Sequence, residues 1–256
     1  MGSRIRVLLP FLPYAAISVV HVAALFAGHT DAGNAVAGPS KLALMPALAL
    51  AVVWAAGARE PEAPPGSRTV LRGAGGPIAL LVAAILCSWL GDGAATFFPM
   101  FDDELPMMLL CFGLAHIAYL VLLWRTRGLA VHRAPMWAAV YALAYAVLIV
   151  LLIPRAGALT VPVMAYGLLL AGTAAMASRC TAAIAWGGAW FFASDAILSL
   201  RIFMPEVMPA WTSGVVMLTY TLGQGLISYG VVASLWRREA GPRLLSPQPE
   251  GPREAV

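Results

Sequence analysis

Eight apolar blocks, each about the 20 residues that cross a hydrocarbon core of roughly 30 Å as a helix, leave this chain few ways to fold. In hydrocarbon every backbone N–H and C=O must find a partner within the protein, which only helices and closed barrels achieve. The blocks are unbroken, whereas a barrel strand alternates apolar and polar positions, so a barrel is excluded. The expected fold is an all-α polytopic membrane protein of about eight transmembrane helices. The spans fall near residues 7–28, 41–57, 77–98, 105–124, 135–153, 157–178, 180–203 and 210–236. Composition agrees: 61% of residues are hydrophobic, 11% are charged and the mean hydropathy is +0.83, against roughly 45–50% apolar in a soluble domain. The first block follows Arg4 and Arg6 as a signal peptide would, but it is long and no small-x-small site closes it, so it reads as a helix.

The net charge of +4 does not point to nucleic acid, because the bases are scattered among loops and form no patch. They sort by topology instead. With eight alternating spans, Arg4, Arg6, Arg59, Arg68, Arg72, Arg125, Arg127, Arg133, Arg179, Arg237, Arg238 and Arg243 share one side. The other side takes Asp31, the run Asp102-Asp103-Glu104, Arg155, Arg201 and Lys41. The expectation is an integral protein of a bacterial inner membrane with both termini cytoplasmic, comprising one transmembrane domain over 1–240. Residues 241–256, rich in Pro and charge, read as a disordered cytoplasmic tail, and Arg59 to Gly76 as a loop.

Ionisable groups inside a bilayer cost several kcal/mol unless paired or wet, so each one within a span is a candidate for function. Asp92 and Asp195 stand out, each ~15 residues into an outward-running helix and therefore at similar depth, roughly 20 Å from the inner face. Two carboxylates at one depth fit a shared cavity better than two unrelated structural pairs. Gly91 and Ser194 put a small residue beside each, where backbone or substrate can come close. His116 and Tyr119 are one turn apart on a face of the fourth span; Tyr220 and Gln224 share a face of the last; Tyr166 adds a hydroxyl at similar depth. Interhelical hydrogen bonding accounts equally well for the tyrosines. Lys41, opening the second helix at the outer interface, suits either snorkelling or phosphate binding. Metal chemistry is disfavoured, since only His116 of the four histidines lies deep in a span and the three cysteines have no paired spacing. No nucleophile-elbow motif is present and no cofactor is implied.

At these positions the chain resembles the YhhN family of integral membrane lysoplasmalogenases. The match is carried by Ser88-Trp89-Leu90-Gly91-Asp92 with Gly113-Leu114-Ala115-His116-Ile117-Ala118-Tyr119, by Gly188-Ala189-Trp190-Phe191-Phe192-Ala193-Ser194-Asp195, and by Thr219-Tyr220-Thr221-Leu222-Gly223-Gln224. Val161-Pro162-Val163-Met164-Ala165-Tyr166 adds to it. The family's basic-Pro pair is imperfect here, Lys41 being followed by Leu42, with Pro46 later. The resemblance implies about eight helices, catalytic aspartates at Asp92 and Asp195, and hydrolysis of the vinyl ether of lysoplasmenyl-ethanolamine or -choline to a fatty aldehyde and a glycerophospho-headgroup. Substrate contacts would come from Lys41, His116, Tyr119, Tyr166, Ser194, Tyr220 and Gln224. A protonated carboxyl and an ionised one suit that chemistry, as in glycoside hydrolysis. The implied partners are a lysophospholipid and the bilayer, without nucleic acid. A proton-coupled carrier using the same aspartates is the competing reading, and broken helices would favour it. A noncatalytic scaffold would scatter its polar groups without matched depth.

Overall fold

The computed structural model describes residues 7–27, 30–58, 68–126 and 128–240. Among them lie eight long helices and no strand: α1 (Leu12–Phe26, entered through a 3-10 turn at Leu9–Phe11), α2 (Asp31–Gly57), α3 (Arg68–Asp92), α4 (Leu105–Arg125), α5 (Ala139–Ala156), α6 (Thr160–Ala177), α7 (Ala182–Phe203) and α8 (Thr212–Ala240). Six stretches are long and apolar enough to cross a bilayer, and one of them, Met136–Ala177, is 42 residues long and contains both α5 and α6. Gly76–Asp92 is shorter and equally apolar in kind. The protein is thus an all-α polytopic membrane protein, as its apolar blocks require.

Three boundaries depart from the sequence reading, each for a local reason. α2 starts at Asp31 rather than Lys41, because the Thr30 hydroxyl accepts from Gly33 N at 3.0 Å and caps it. Pro39 within it is tolerated because the Ser40 hydroxyl, 2.6 Å from Val36 O and 3.2 Å from Ala37 O, engages carbonyls beside the proline. Lys41 therefore sits inside the helix, not at its opening. α3 takes in part of the expected loop, carries Pro77 in its interior and ends at Asp92 instead of residue 98. There the chain breaks at Gly93 and resumes as a single turn, Ala94–Phe97.

Helices α1, α2, α3, α4, α6, α7 and α8 neighbour one another in that order and close a ring through α8 on α1, with α5 outside against α6 and α7. α8 also touches α2 and α3, which makes it the innermost helix. Its tight fit against α7 depends on glycine: a Cβ on Gly223 would lie 2.7 Å from Phe191 N, and one on Gly187 2.7 Å from Ile227 N. Close approach of these backbones brings Tyr220 beside the Asp195 segment. Outward faces carry exposed Leu50, Val150 and Val161, and exposed tryptophans such as Trp124 and Trp186 lie near helix ends, a pattern suited to lipid and its interfaces.

Arg125, Arg133, Arg179 and Arg237 gather at one end of the bundle, where Val131 N donates to Arg179 O at 2.8 Å. Arg155 and Arg201 close helices at the other end. Arg4, Arg6, Arg59, Arg127, Arg243 and the segment 241–256 lie outside the described residues, as do the side chains of Asp31, Arg68, Arg72 and Arg238.

Candidate active site

Asp92 is the last residue of α3 and half-buried. Tyr220 Oη donates to its Oδ2 at 2.8 Å from α8. One turn further along α8, the Gln224 amide is committed on both sides. Its Nε2 donates to Ser88 Oγ at 3.0 Å and to Tyr220 Oη at 3.4 Å, while its Oε1 accepts from Tyr119 Oη. Gln224 and Ser88 are fully buried. The Gln224 N–H, the Tyr220 O–H and the Asp92 carboxyl thus form one polarised chain, in which each bond strengthens the next.

Asp195 lies about two turns before the end of α7 and is 6% exposed. The Tyr166 phenol of α6 donates to its Oδ2. His116 Nε2 is 3.7 Å from the same oxygen and 3.4 Å from Tyr166 Oη. Behind it, His116 Nδ1 is 3.1 Å from Thr173 Oγ1, whose own proton points to Leu169 O at 2.8 Å. Thr173 therefore accepts, the imidazole proton sits on Nδ1, and the Nε2 edge faces the Asp195–Tyr166 pair.

The two halves meet on α4, where His116 and Tyr119 occupy successive turns, and around Phe191, whose ring centroid is 4.8 Å from His116, 6.1 Å from Tyr119 and 5.5 Å from Tyr220. They are joined by packing rather than by a continuous hydrogen-bond chain. Two apolar clefts reach Asp195. One, between α4, α6 and α7, is lined by Leu105, Met108, Phe112, Val163, Leu198 and Ile202 with Tyr166; the other, beside α5, includes Tyr145, Leu148, Leu152 and Phe192. Asp92 lines neither. Phe112 stands between: it lines the first cleft, its ring occupies the space over Gly91, where a Cβ would lie 2.6 Å from it, and it meets Tyr220 edge-on at 6.2 Å. The room that Gly91 leaves is filled by this ring.

Of the residues that the sequence singles out, His116, Tyr119, Tyr166, Tyr220 and Gln224 all join the two carboxylate networks. Ser194 does not; its hydroxyl donates to Val216 O at 2.9 Å and ties α7 to α8. The segment that carries Lys41 packs against the end of α3 at Asp92: Trp89 Nε1 donates to Leu42 O at 2.9 Å, and a Cβ on Gly93 would meet Leu42 Cδ2 at 3.0 Å. Sequence reasoning missed Ser88 and Thr173, although helical spacing marks both, Ser88 four residues before Asp92 and Thr173 seven after Tyr166. It also passed over His21, which is as deeply buried as His116. Among the described residues no group of His, Cys, Asp and Glu could hold a metal ion.

The YhhN family model matches residues 36–231, a stretch that contains Lys41 and both aspartates with every side chain they engage. Comparison with curated proteins and with solved structures finds no match.

Proposed function

This chain belongs to the YhhN family, and from that premise we propose that it is a membrane-embedded lysoplasmalogenase, cleaving the vinyl ether of a lysoplasmenyl lipid by aspartate acid–base chemistry. The observation that carries the reading is the pair of intramembrane carboxyls, each accepting a tyrosine phenol, with an apolar cleft running to Asp195 and a lysine near Asp92. In this reading an alkenyl chain lies in the cleft with the chain-side carbon of its double bond at Asp195, and the headgroup passes Phe112 towards Asp92 and Lys41.

From that pose the roles follow. Protonated Asp195 delivers its proton to the β-carbon, the step that creates the oxocarbenium ion. Ionised Asp92, with Lys41 balancing its charge, stabilises the cation and takes a proton from the attacking water. In the second half Asp92 returns that proton to the ether oxygen as the hemiacetal collapses, and Asp195 recovers one from the hemiacetal hydroxyl. Both carboxyls end as they began, and water has been divided between an aldehyde and an alcohol. The Tyr166 hydroxyl, donating to Asp195 Oδ2, orients that carboxyl beside the His116 Nε2 edge. The arginine-rich end of the bundle supports cytoplasmic termini.

The test is purified protein acting on lysoplasmenyl lipid in deuterated water, with ester-linked lysolipid as control. Aldehyde carrying deuterium beside its carbonyl carbon, formed with a solvent isotope effect, is expected. Aldehyde that lacks this deuterium before any exchange rules out β-carbon protonation. A proton-coupled carrier is the second reading, favoured by one observation, the break of α3 at Asp92–Gly93. Proteoliposomes that acidify on solute addition without releasing aldehyde would establish it.

A further inference from the structure

Near Lys41, one buried nitrogen is left over by the chemistry above. The His21 ring is 1% exposed, on the inward face of α1. Its Nδ1 lies 2.8 Å from Ser40 Oγ, and the Ser40 proton is directed to Val36 O at 2.6 Å. Ser40 must then accept, so the His21 proton is on Nδ1 and Nε2 presents a lone pair. That nitrogen has no partner among the described residues. A buried acceptor without a donor is destabilising, so a fold that retains one has either a defect or a place for a ligand's donor.

The adjacent residue argues for the second. Lys41, half-buried inside α2 and next to the Ser40 that holds His21, makes no hydrogen bond or ion pair with a described residue. On α1, Tyr14 Oη donates to Thr221 O at 2.8 Å and Phe26 packs against Gly214. His21, between them, therefore runs alongside the part of α8 that carries Tyr220. A lone-pair nitrogen and an ammonium together fit a ligand with a hydroxyl donor and an anion a few bonds apart, beside the carboxyl that would face an ether.

We infer that His21 and Lys41 form a headgroup-reading subsite, in which His21 Nε2 accepts a hydrogen bond from a free hydroxyl vicinal to the ether oxygen and Lys41 pairs with the phosphodiester. This rests on the lipid hydrolase reading and adds its selectivity. A glycerophospholipid with one chain offers both groups, whereas acylating the hydroxyl removes the donor and leaves Nε2 unmatched. Selection for single-chain lipids is then built into α1 and α2.

The experiment is calorimetric binding, by the full chain in detergent, of a non-hydrolysable 1-O-alkyl lysophospholipid and of its 2-deoxy analogue. The wild type should bind the hydroxyl form about tenfold more tightly, the value of one hydrogen bond. His21→Leu should bring that ratio to one; Ser40→Ala, which frees the Nδ1 proton, should reduce it part-way. Lys41→Ala should weaken both lipids alike and keep the ratio. Because each ratio compares two lipids on one preparation, a poorly folded fraction does not alter it. A wild-type ratio of one, a ratio unchanged in His21→Leu, or binding of neither lipid overturns the subsite. Aldehyde release from a vinyl ether lipid by the same protein separates the two readings. Release with a ratio of one removes the subsite alone, and a tenfold ratio without release removes the hydrolase.

Discussion

Asp92 and Asp195 each accept a tyrosine phenol, but what stands behind the phenol differs. Behind Tyr220 is the Gln224 amide, held on both sides by Ser88 and Tyr119 and unable to gain or lose a proton. Beside Tyr166 is the His116 imidazole, fixed by Thr173 with its titratable nitrogen towards Asp195. The first network ends in an amide and the second in an imidazole. Position repeats the contrast: Asp92 ends its helix near Lys41, and Asp195 is buried within α7 where the apolar clefts arrive. Two carboxyls that look alike in sequence are thereby suited to unlike roles.

The sharpest way to break this contrast is to neutralise each carboxyl. Asp195→Asn removes the proton donor to carbon and should lower aldehyde release about a thousandfold; Asp92→Asn removes the charge that stabilises the cation and should cost about a hundredfold. Both variants should elute from size exclusion as the wild type does. If Asp92→Asn is the more damaging, the two roles are exchanged. The phenols offer a gentler comparison. Tyr166→Phe should reduce kcat by about tenfold, and Tyr220→Phe by less, since each loses one hydrogen bond to a carboxyl and only Tyr166 also borders His116. Equal losses would mean that the imidazole adds nothing to the Asp195 side.

The smallest expected effect comes from the second layer. Thr173→Val keeps the shape but deprives His116 Nδ1 of its acceptor, so the ring can present either nitrogen to Asp195. Turnover should fall about threefold, within the range of one neutral hydrogen bond, with a changed acid limb of the pH–rate profile that Thr173→Ser restores. A profile unchanged by valine would show Thr173 to be a packing residue only.

Apolar blocks and scattered arginines made the helix count, the membrane class and the candidate aspartates legible in the chain alone, because crossing hydrocarbon constrains local composition strongly. Periodicity within one helix likewise grouped His116 with Tyr119 and Tyr220 with Gln224. Helix limits were less legible where a cap or a break decides them: Thr30 starts α2 ahead of Lys41, and Gly93 stops α3 at Asp92. Which phenol meets which carboxyl, that Ser194 turns to Val216, that Phe112 fills the space over Gly91, and that His21 is buried with an unanswered nitrogen are facts of packing between segments far apart in sequence. The sequence by itself determined that about eight helices pack together and that two of them carry Asp92 and Asp195. Only the tertiary structure decided the pairing of those groups, because a hydrogen bond between helices depends on rotation and register, which each helix acquires from its neighbours and not from its own residues.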